Sequence, residues 1–176
     1  MKILVIGGSN SRNSINRKFA EFTASLFGST SRELVDISQL AVPLYSVDRE
    51  NENGFPDVVL EFANKIDNTD IIVLSLAENN GSYNAGFKNL MDWTSRIKNR
   101  KMWGNKAMLL LSTSPGARGG ATVLEAAKNY FPYIGADIKG SFSLPKFYEN
   151  FDSEKGITNP EWLQNLKNIV NSIKNA

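Results

Sequence analysis

The chain has 176 residues, enough for one domain with a sizeable core, and its 41% hydrophobic and 22% charged residues are those of an ordinary globular protein. Its 20 basic against 18 acidic residues leave a formal charge of +2, too balanced to argue for a nucleic-acid partner, and no basic run or aromatic-basic stripe appears. There are no cysteines and no histidines, which excludes disulfides, thiolate and imidazole metal sites, cysteine nucleophiles and Ser-His-Asp triads, and leaves a cofactor, carboxylates or backbone electrostatics to carry any chemistry.

Met1-Lys2-Ile3 enters a strand directly, with no signal-peptide pattern, and no later apolar run approaches a membrane span. A cytoplasmic protein without a membrane partner is the expectation. Ile3 to Ile6 is a short continuous apolar run, as in a strand covered on both faces. Gly7 to Arg17 reads as a small-polar turn leading into the mouth of a helix. Ile15, Phe19, Phe22 and Leu26 form one apolar stripe on that helix, and Gly28 ends it. Glu33 to Ile37 is a second, more mixed strand, and Leu40 to Gly54 reads as a loop. Pro56 opens a helix whose buried face is Val58, Val59, Phe62, Ala63 and Ile66.

Ile71 to Leu74 is another continuous apolar strand, followed by a polar loop from Ala77 to Tyr83. Phe87, Leu90, Met91 and Ile97 mark the inner side of the next helix. Ala107 to Leu111 is the fourth strand, and Ser112 to Gly120 is a Ser/Gly/Pro loop. A helix with Leu124, Ala127 and Phe131 follows. Ala136, Ile138, Gly140, Phe142 and Leu144 then alternate with their neighbours, as in a strand covered mainly on one face. Pro145 to Asn159 is an aromatic-rich connection, and the last helix carries Trp162, Leu166, Ile169, Val170 and Ile173. No internal repeat, low-complexity tract or linker divides residues 1–176, so a single domain is expected.

Strand and helix alternate five times, which predicts an α/β fold: a flavodoxin-like three-layer sandwich around a five-stranded parallel sheet. The first, third and fourth strands are continuously apolar and belong in the centre. The second is mixed and the fifth alternates, so both belong at the edges. The order 2-1-3-4-5 satisfies this and puts the topological switch point between the first and third strands. The first loop and Ala77–Tyr83 meet there, with Ser112–Gly120 beside them.

A helix N-terminus leaves backbone N–H groups unpaired and carries partial positive charge. At the first loop, hydroxyls of Ser9, Ser11 and Ser14, the Asn16 amide and the Arg12 guanidinium crowd that mouth. Taken alone, the loop is open between a phosphate site and a helix cap, and Arg12 between an anion ligand and a solvated side chain. It has neither the Gly-Lys-Ser/Thr ending of an NTPase loop nor the spacing of the dinucleotide glycine fingerprint, and a hydroxyl-rich turn suits a mononucleotide phosphate.

The three loops together resemble the NADPH-dependent FMN reductase family, which includes azobenzene, quinone and chromate reductases. The resemblance covers almost the whole chain. The family's Gly-Ser-x-Arg-x-x-Ser-x-Asn motif is matched by Gly8, Ser9, Ser14 and Asn16, with the arginine one place late at Arg12 and Ser11 in its position. Its Pro-Glu-Tyr-Asn-Gly-Ser motif reads here Ala77-Glu78-Asn79-Asn80-Gly81-Ser82, followed by Lys88-Asn89 and Asp92-Trp93. Its Ser-Pro-Gly-x-x-Gly-Gly motif is intact as Ser114-Pro115-Gly116-Ala117-Arg118-Gly119-Gly120. Pro43-Leu44-Tyr45 is similar to the family's loop after the second strand.

The resemblance implies FMN bound at the switch point, NAD(P)H as hydride donor, and ping-pong turnover in which a small flavin, quinone or azo acceptor takes the electrons. Ser9, Ser14, Asn16 and Arg12 would bind the phosphate, with Ser11 and Ile15 at the same helix mouth. Glu78, Asn79, Asn80, Gly81 and Ser82 would border the flavin ring. The turn that carries Ser114, Pro115, Gly116, Gly119 and Gly120 would present backbone N–H groups from its non-proline residues, with Arg118 nearby, to the ring edge that becomes negative on reduction. No side-chain acid is required, because the cofactor carries the hard step. Family members are commonly dimers or tetramers, so a homodimer or homotetramer is expected.

Two positions depart from the family. Asn79 and Ala77 stand where tyrosine and proline are usual, so an aromatic beside the flavin is lost, and Tyr83 is a candidate to restore it. Trp93 and Phe87 fit core or subunit-interface positions better than flavin contacts. Phe147, Tyr148 and Phe151 are unusual for a loop; they fit either local packing over the sheet edge or a lid or dimer contact shaping the acceptor pocket, and the oligomer contact is favoured. The alternative functions are a flavodoxin-like electron carrier, against which the +2 charge argues, and a flavin-binding module without turnover.

Overall fold

A computed structural model of the chain describes residues 1–175. β1 (Lys2–Gly8) is followed by α1 (Ile15–Ser25), β2 (Ser31–Asp36), a 3-10 turn at Ile37–Gln39, α2 (Val47–Asn53) and α3 (Asp57–Asp67). β3 (Ile71–Leu76), β4 (Glu78–Asn79), β5 (Ser82–Tyr83) and α4 (Ala85–Thr94) come next. β6 (Lys106–Thr113), α5 (Ala121–Tyr130), β7 (Ala136–Leu144), α6 (Phe147–Asn150), β8 (Phe151–Asp152), β9 (Gly156–Ile157) and α7 (Pro160–Lys174) complete the order.

The main sheet is parallel, in the order β2-β1-β3-β6-β7, which is the expected 2-1-3-4-5. Alternation along each strand divides the core in two. Leu4, Ile6, Ile72, Leu74, Met108 and Leu110 face one layer, where Val59 and Phe62 of α3, Leu90 and Trp93 of α4 and Leu124 and Ala127 of α5 cover them. Ile3, Val5, Ile71, Val73, Leu109 and Leu111 face the other layer, where Phe19 and Ala20 of α1 and Leu166 and Val170 of α7 cover them. β3 is buried along its whole length and β1 everywhere except Lys2. Continuous apolar runs therefore lie at the centre of the sheet because both faces are covered.

Three stretches expected as loops carry structure of their own. Leu40–Gly54 contains α2, which buries no residue. Its N-terminus is capped by Ser46 accepting from the Arg49 N–H, and Glu50 on it accepts from Tyr45 Oη (3.0 Å) and Arg96 Nε (2.9 Å). A helix held by capping and polar contacts has no apolar stripe for periodicity to detect. Ala77–Tyr83 contains the β4/β5 hairpin, whose two-residue tip is Asn80-Gly81, both with positive φ (52° and 73°). Asn-Gly suits a type I′ turn for that reason. Pro145–Asn159 contains α6 and the β8/β9 hairpin, pinned by Phe147 and Phe151, whose rings stack at 4.6 Å. Local packing buries Phe147 and partly buries Phe151. Trp93 and Phe87 are core residues, fully buried.

Candidate functional site

The carboxyl ends of β1, β3 and β6 open into a cleft of about 360 Å³, within the size range of small-molecule sites. The first loop contributes Ser9, Asn10, Ser11, Asn13, Ser14, Ile15 and Asn16 to its walls. The second contributes Ala77, Glu78, Asn79 and Asn84. Thr113, Ser114, Pro115 and Tyr148 close the remaining side.

The first loop is shaped by close approach. A Cβ on Gly7 would lie 2.6 Å from the Arg17 Cα, so glycine is what lets α1 start against the end of β1. Arg17 then braces the turn from outside, with one guanidinium nitrogen on the Asp36 carboxylate and the other donating to the Arg12 carbonyl (2.8 Å). Ser14 is the N-cap of α1 and accepts from the Arg17 N–H (3.1 Å). The N–H groups of Ile15 and Asn16, the first two helical positions, find no protein partner among the described residues, as expected of a helix start. Both residues line the cleft with Ser9, Ser11 and Ser14. Unpaired helix N–H donors and serine hydroxyls together form a donor set for an anion, and the residues present fit the phosphate of FMN.

Asn16 is used differently from the sequence expectation. Its side chain is 3% exposed. Its Nδ2 donates to the Thr113 carbonyl (3.1 Å), and its Oδ1 accepts from the Thr113 N–H (3.1 Å) and the Ser75 hydroxyl (2.7 Å). The amide thus ties α1 to the ends of β3 and β6 and holds the first loop against the third. Arg12 is exposed and does not line the cleft. Arg17 is the arginine fixed at this loop, and it faces Asp36 rather than the cleft.

In the second loop, Glu78 points its carboxylate across to α5, where Oε2 accepts from the Val123 N–H (3.0 Å). Gly120, the N-cap of α5, offers no side chain for that purpose, so Glu78 supplies the anion at this helix start. Asn84 caps α4 and is bonded to both neighbouring loops. It accepts from the Asn10 N–H (3.2 Å) and donates to Asn10 Oδ1 and Asn79 Oδ1 (both 3.1 Å). Gly86 permits this contact, since a Cβ there would sit 2.9 Å from the Asn10 Cβ. Asn80, Gly81 and Ser82 form the outer part of the hairpin and lie outside the cleft lining. Tyr83 is turned away, stacked on Phe131 at 5.9 Å, so it does not replace the missing aromatic. Burial, assisted by the nearby Tyr130, pushes its phenol up to about 12.

The third loop is a tight turn built on Gly119 and Gly120, both with positive φ (60° and 77°). The Gly119 carbonyl accepts from Ser112 Oγ (2.8 Å) and Ser143 Oγ (3.0 Å), and a Cβ at Gly119 would meet Ser143 Oγ at 2.4 Å. These two glycines serve the turn itself. Ser114 and Pro115 reach the cleft, whereas Gly116, Gly119, Gly120 and Arg118 do not line it. The Arg118 guanidinium donates to Thr122 Oγ1 (2.7 Å), drawn back along α5. Asn10, Asn13, Asn84, Thr113 and Tyr148 are lining residues the motifs did not mark. Asn84 had a readable signal, an Asn directly before a helical pattern; Thr113 and Tyr148 reach the cleft only through the fold.

No group of carboxylates able to hold a metal ion occurs among the described residues, and no helix among them is long and apolar enough to cross a membrane. Residues 1–149 match the family described as NADPH-dependent FMN reductase. A 2-hydroxy-1,4-benzoquinone reductase from a Burkholderia species is 33% identical over 156 residues, covering 88% of this chain and 81% of that protein. An NADPH:quinone oxidoreductase of Arabidopsis thaliana is 32% identical over 145 residues, covering 81% and 72%. Among solved structures, the flavoenzyme NAD(P)H:(acceptor) oxidoreductase FerB of Paracoccus denitrificans superposes with a TM-score of 0.78 at 25% identity, covering 99% of this chain and 95% of that one.

Proposed function

The chain belongs to the NADPH-dependent FMN reductase family, and from that premise we propose that it is an NAD(P)H-dependent oxidoreductase that holds FMN in this cleft and reduces small acceptors of the quinone, flavin or azo class. One observation carries the assignment: at the switch point of the sheet, Ile15 and Asn16, whose N–H groups are unpaired, line the cleft together with Ser9, Ser11 and Ser14. When bound, FMN supplies the hydride chemistry that this chain's own side chains lack.

The residues then divide by task. Ser9, Ser11 and Ser14, with the N–H groups of Ile15 and Asn16, bind the phosphate. Asn16 and Arg17 hold the turn in the shape that aims those donors. Ala77, Glu78 and Asn79 on one side and Thr113, Ser114 and Pro115 on the other border the ring, and the Asn10–Asn84–Asn79 bonds tie the second loop to the first. Glu78 also keeps α5 anchored to the second loop. Residues 1–176 act as one FMN-binding domain. A cytoplasmic location accords with NAD(P)H, a reductant kept inside cells. A homodimer or homotetramer is supported by the exposed apolar side chains Leu44 and Val47, which a second copy would cover.

The test is anaerobic. Protein loaded with FMN is mixed with NADPH and with NADH, and the flavin absorbance is followed. Bleaching, then recovery on adding a naphthoquinone, is the expected result. Bound flavin that neither nucleotide reduces would overturn the reductase assignment.

A further inference from the structure

Among the described residues, Tyr148 is the one aromatic lining the cleft, and it is 74% exposed. Its backbone, by contrast, is firmly held. The Lys146 N–H donates to the Gly116 carbonyl (2.9 Å) and the Phe147 N–H to the Ser114 carbonyl (3.0 Å), so this turn is laced onto the third loop. Asn150 Nδ2 donates to the Pro145 carbonyl (3.1 Å), closing the short helix on itself. Lys146 is kept at a positive φ of 47°, a conformation a non-glycine residue retains only where its surroundings dictate it. Phe147 is sunk in the core, and the Tyr148 ring meets it edge-on at 5.6 Å and 86°. An exposed ring on a fixed backbone, set by a buried neighbour, loses little freedom when a ligand packs on it.

The opposite wall provides no such surface. It presents Ala77, Glu78 and Asn79, and the nearest sequence candidate, Tyr83, stacks on Phe131 in the core. We propose that Tyr148 is the specificity-determining face of the cleft, against which the flat ring of a quinone-class acceptor packs. The assignment rests on the flavin reading above. Acceptors with a planar aromatic ring gain from this contact, and small non-aromatic acceptors do not. The ring is what acts, so phenylalanine substitutes for tyrosine.

The test compares wild type with Tyr148→Phe and Tyr148→Ala, each loaded with oxidised FMN. The dissociation constant for menadione is read by calorimetry without turnover, and the KM for menadione is compared with that for ferricyanide. Tyr148→Ala is expected to weaken menadione binding by about 3- to 10-fold, the size of a lost aromatic contact, and to raise the menadione KM with little change for ferricyanide. Tyr148→Phe is expected to stay within about twofold of wild type. Equal menadione affinity in wild type and Tyr148→Ala, with FMN bound to both, would overturn the Tyr148 assignment and leave the flavin reading standing. Loss of affinity in Tyr148→Phe as large as in Tyr148→Ala would overturn it too, as would a change in oligomeric state accompanying the loss. A wild-type protein that binds no FMN would overturn both.

Discussion

Replacing Asn16 by alanine separates a ligand contact from a structural one. The Asn16 amide makes three hydrogen bonds, to both backbone groups of Thr113 and to the Ser75 hydroxyl, and both partner residues are at most 1% exposed. Truncation leaves one donor N–H, one carbonyl and one hydroxyl without that partner at the ends of β3 and β6. A neutral hydrogen bond contributes about 1 kcal/mol net, and a buried group left unpaired costs about 1–3 kcal/mol. Water entering the space vacated by the amide offsets part of this, so about 3 kcal/mol of destabilisation is expected in the absence of flavin. For a domain of this size that lowers Tm by roughly 6–12 °C. Urea unfolding of the flavin-free protein, followed by fluorescence of the buried Trp93 and Trp103, measures it directly. Asn16→Ala matching wild type within about 0.5 kcal/mol in unfolding, while FMN binding falls, would show that the amide serves the ligand and would refute this account of it.

Gly7→Ala puts a methyl 2.6–2.8 Å from the Arg17 backbone, where only movement of α1 can relieve it; a loss of about 1–3 kcal/mol by thermal melt and weaker FMN binding by titration are expected. Glu78→Gln removes the charge at the start of α5. Unfolding at low salt should show about 0.3–1 kcal/mol of destabilisation, shrinking at high salt. Tyr83 is held protonated in the fold, its phenol raised from 10.0 to about 12. Its contribution to stability is therefore complete below pH 10 and lost as pH rises from 10 to about 12. Tyr83→Phe should flatten the stability–pH curve over that window, read by melts at fixed ionic strength.

The sheet was legible because burial on two faces writes itself as unbroken apolar sequence. Ile3–Ile6, Ile71–Leu74 and Ala107–Leu111 declared the centre, and mixed or alternating composition declared β2 and β7 as edges. Helix α2 was not legible, since a helix that buries nothing leaves no periodic stripe. In the site, Ser9, Ser11, Ser14 and Ile15 could be read from the strand–turn–helix pattern, because donors at a helix start are set by local geometry. The partner of Asn16 could not, because Thr113 is brought to it only by the sheet order. Arg118 illustrates the converse: a motif places its backbone, but the Thr122 hydroxyl four residues on decides where its guanidinium goes. Tyr148 stood out as an odd aromatic in a connection and a candidate for shaping the acceptor pocket, and its neighbours Phe147 and Phe151 proved to be the packing that presents it.

The most direct test of the central claim is an equilibrium titration of the flavin-free protein with FMN and with riboflavin, which differ only in the phosphate. A phosphate cradle at the first loop predicts one FMN per chain, much weaker binding of riboflavin, and a Ser14→Ala variant whose FMN affinity moves toward the riboflavin value. Equal affinity for the two flavins, or binding of neither, would contradict it.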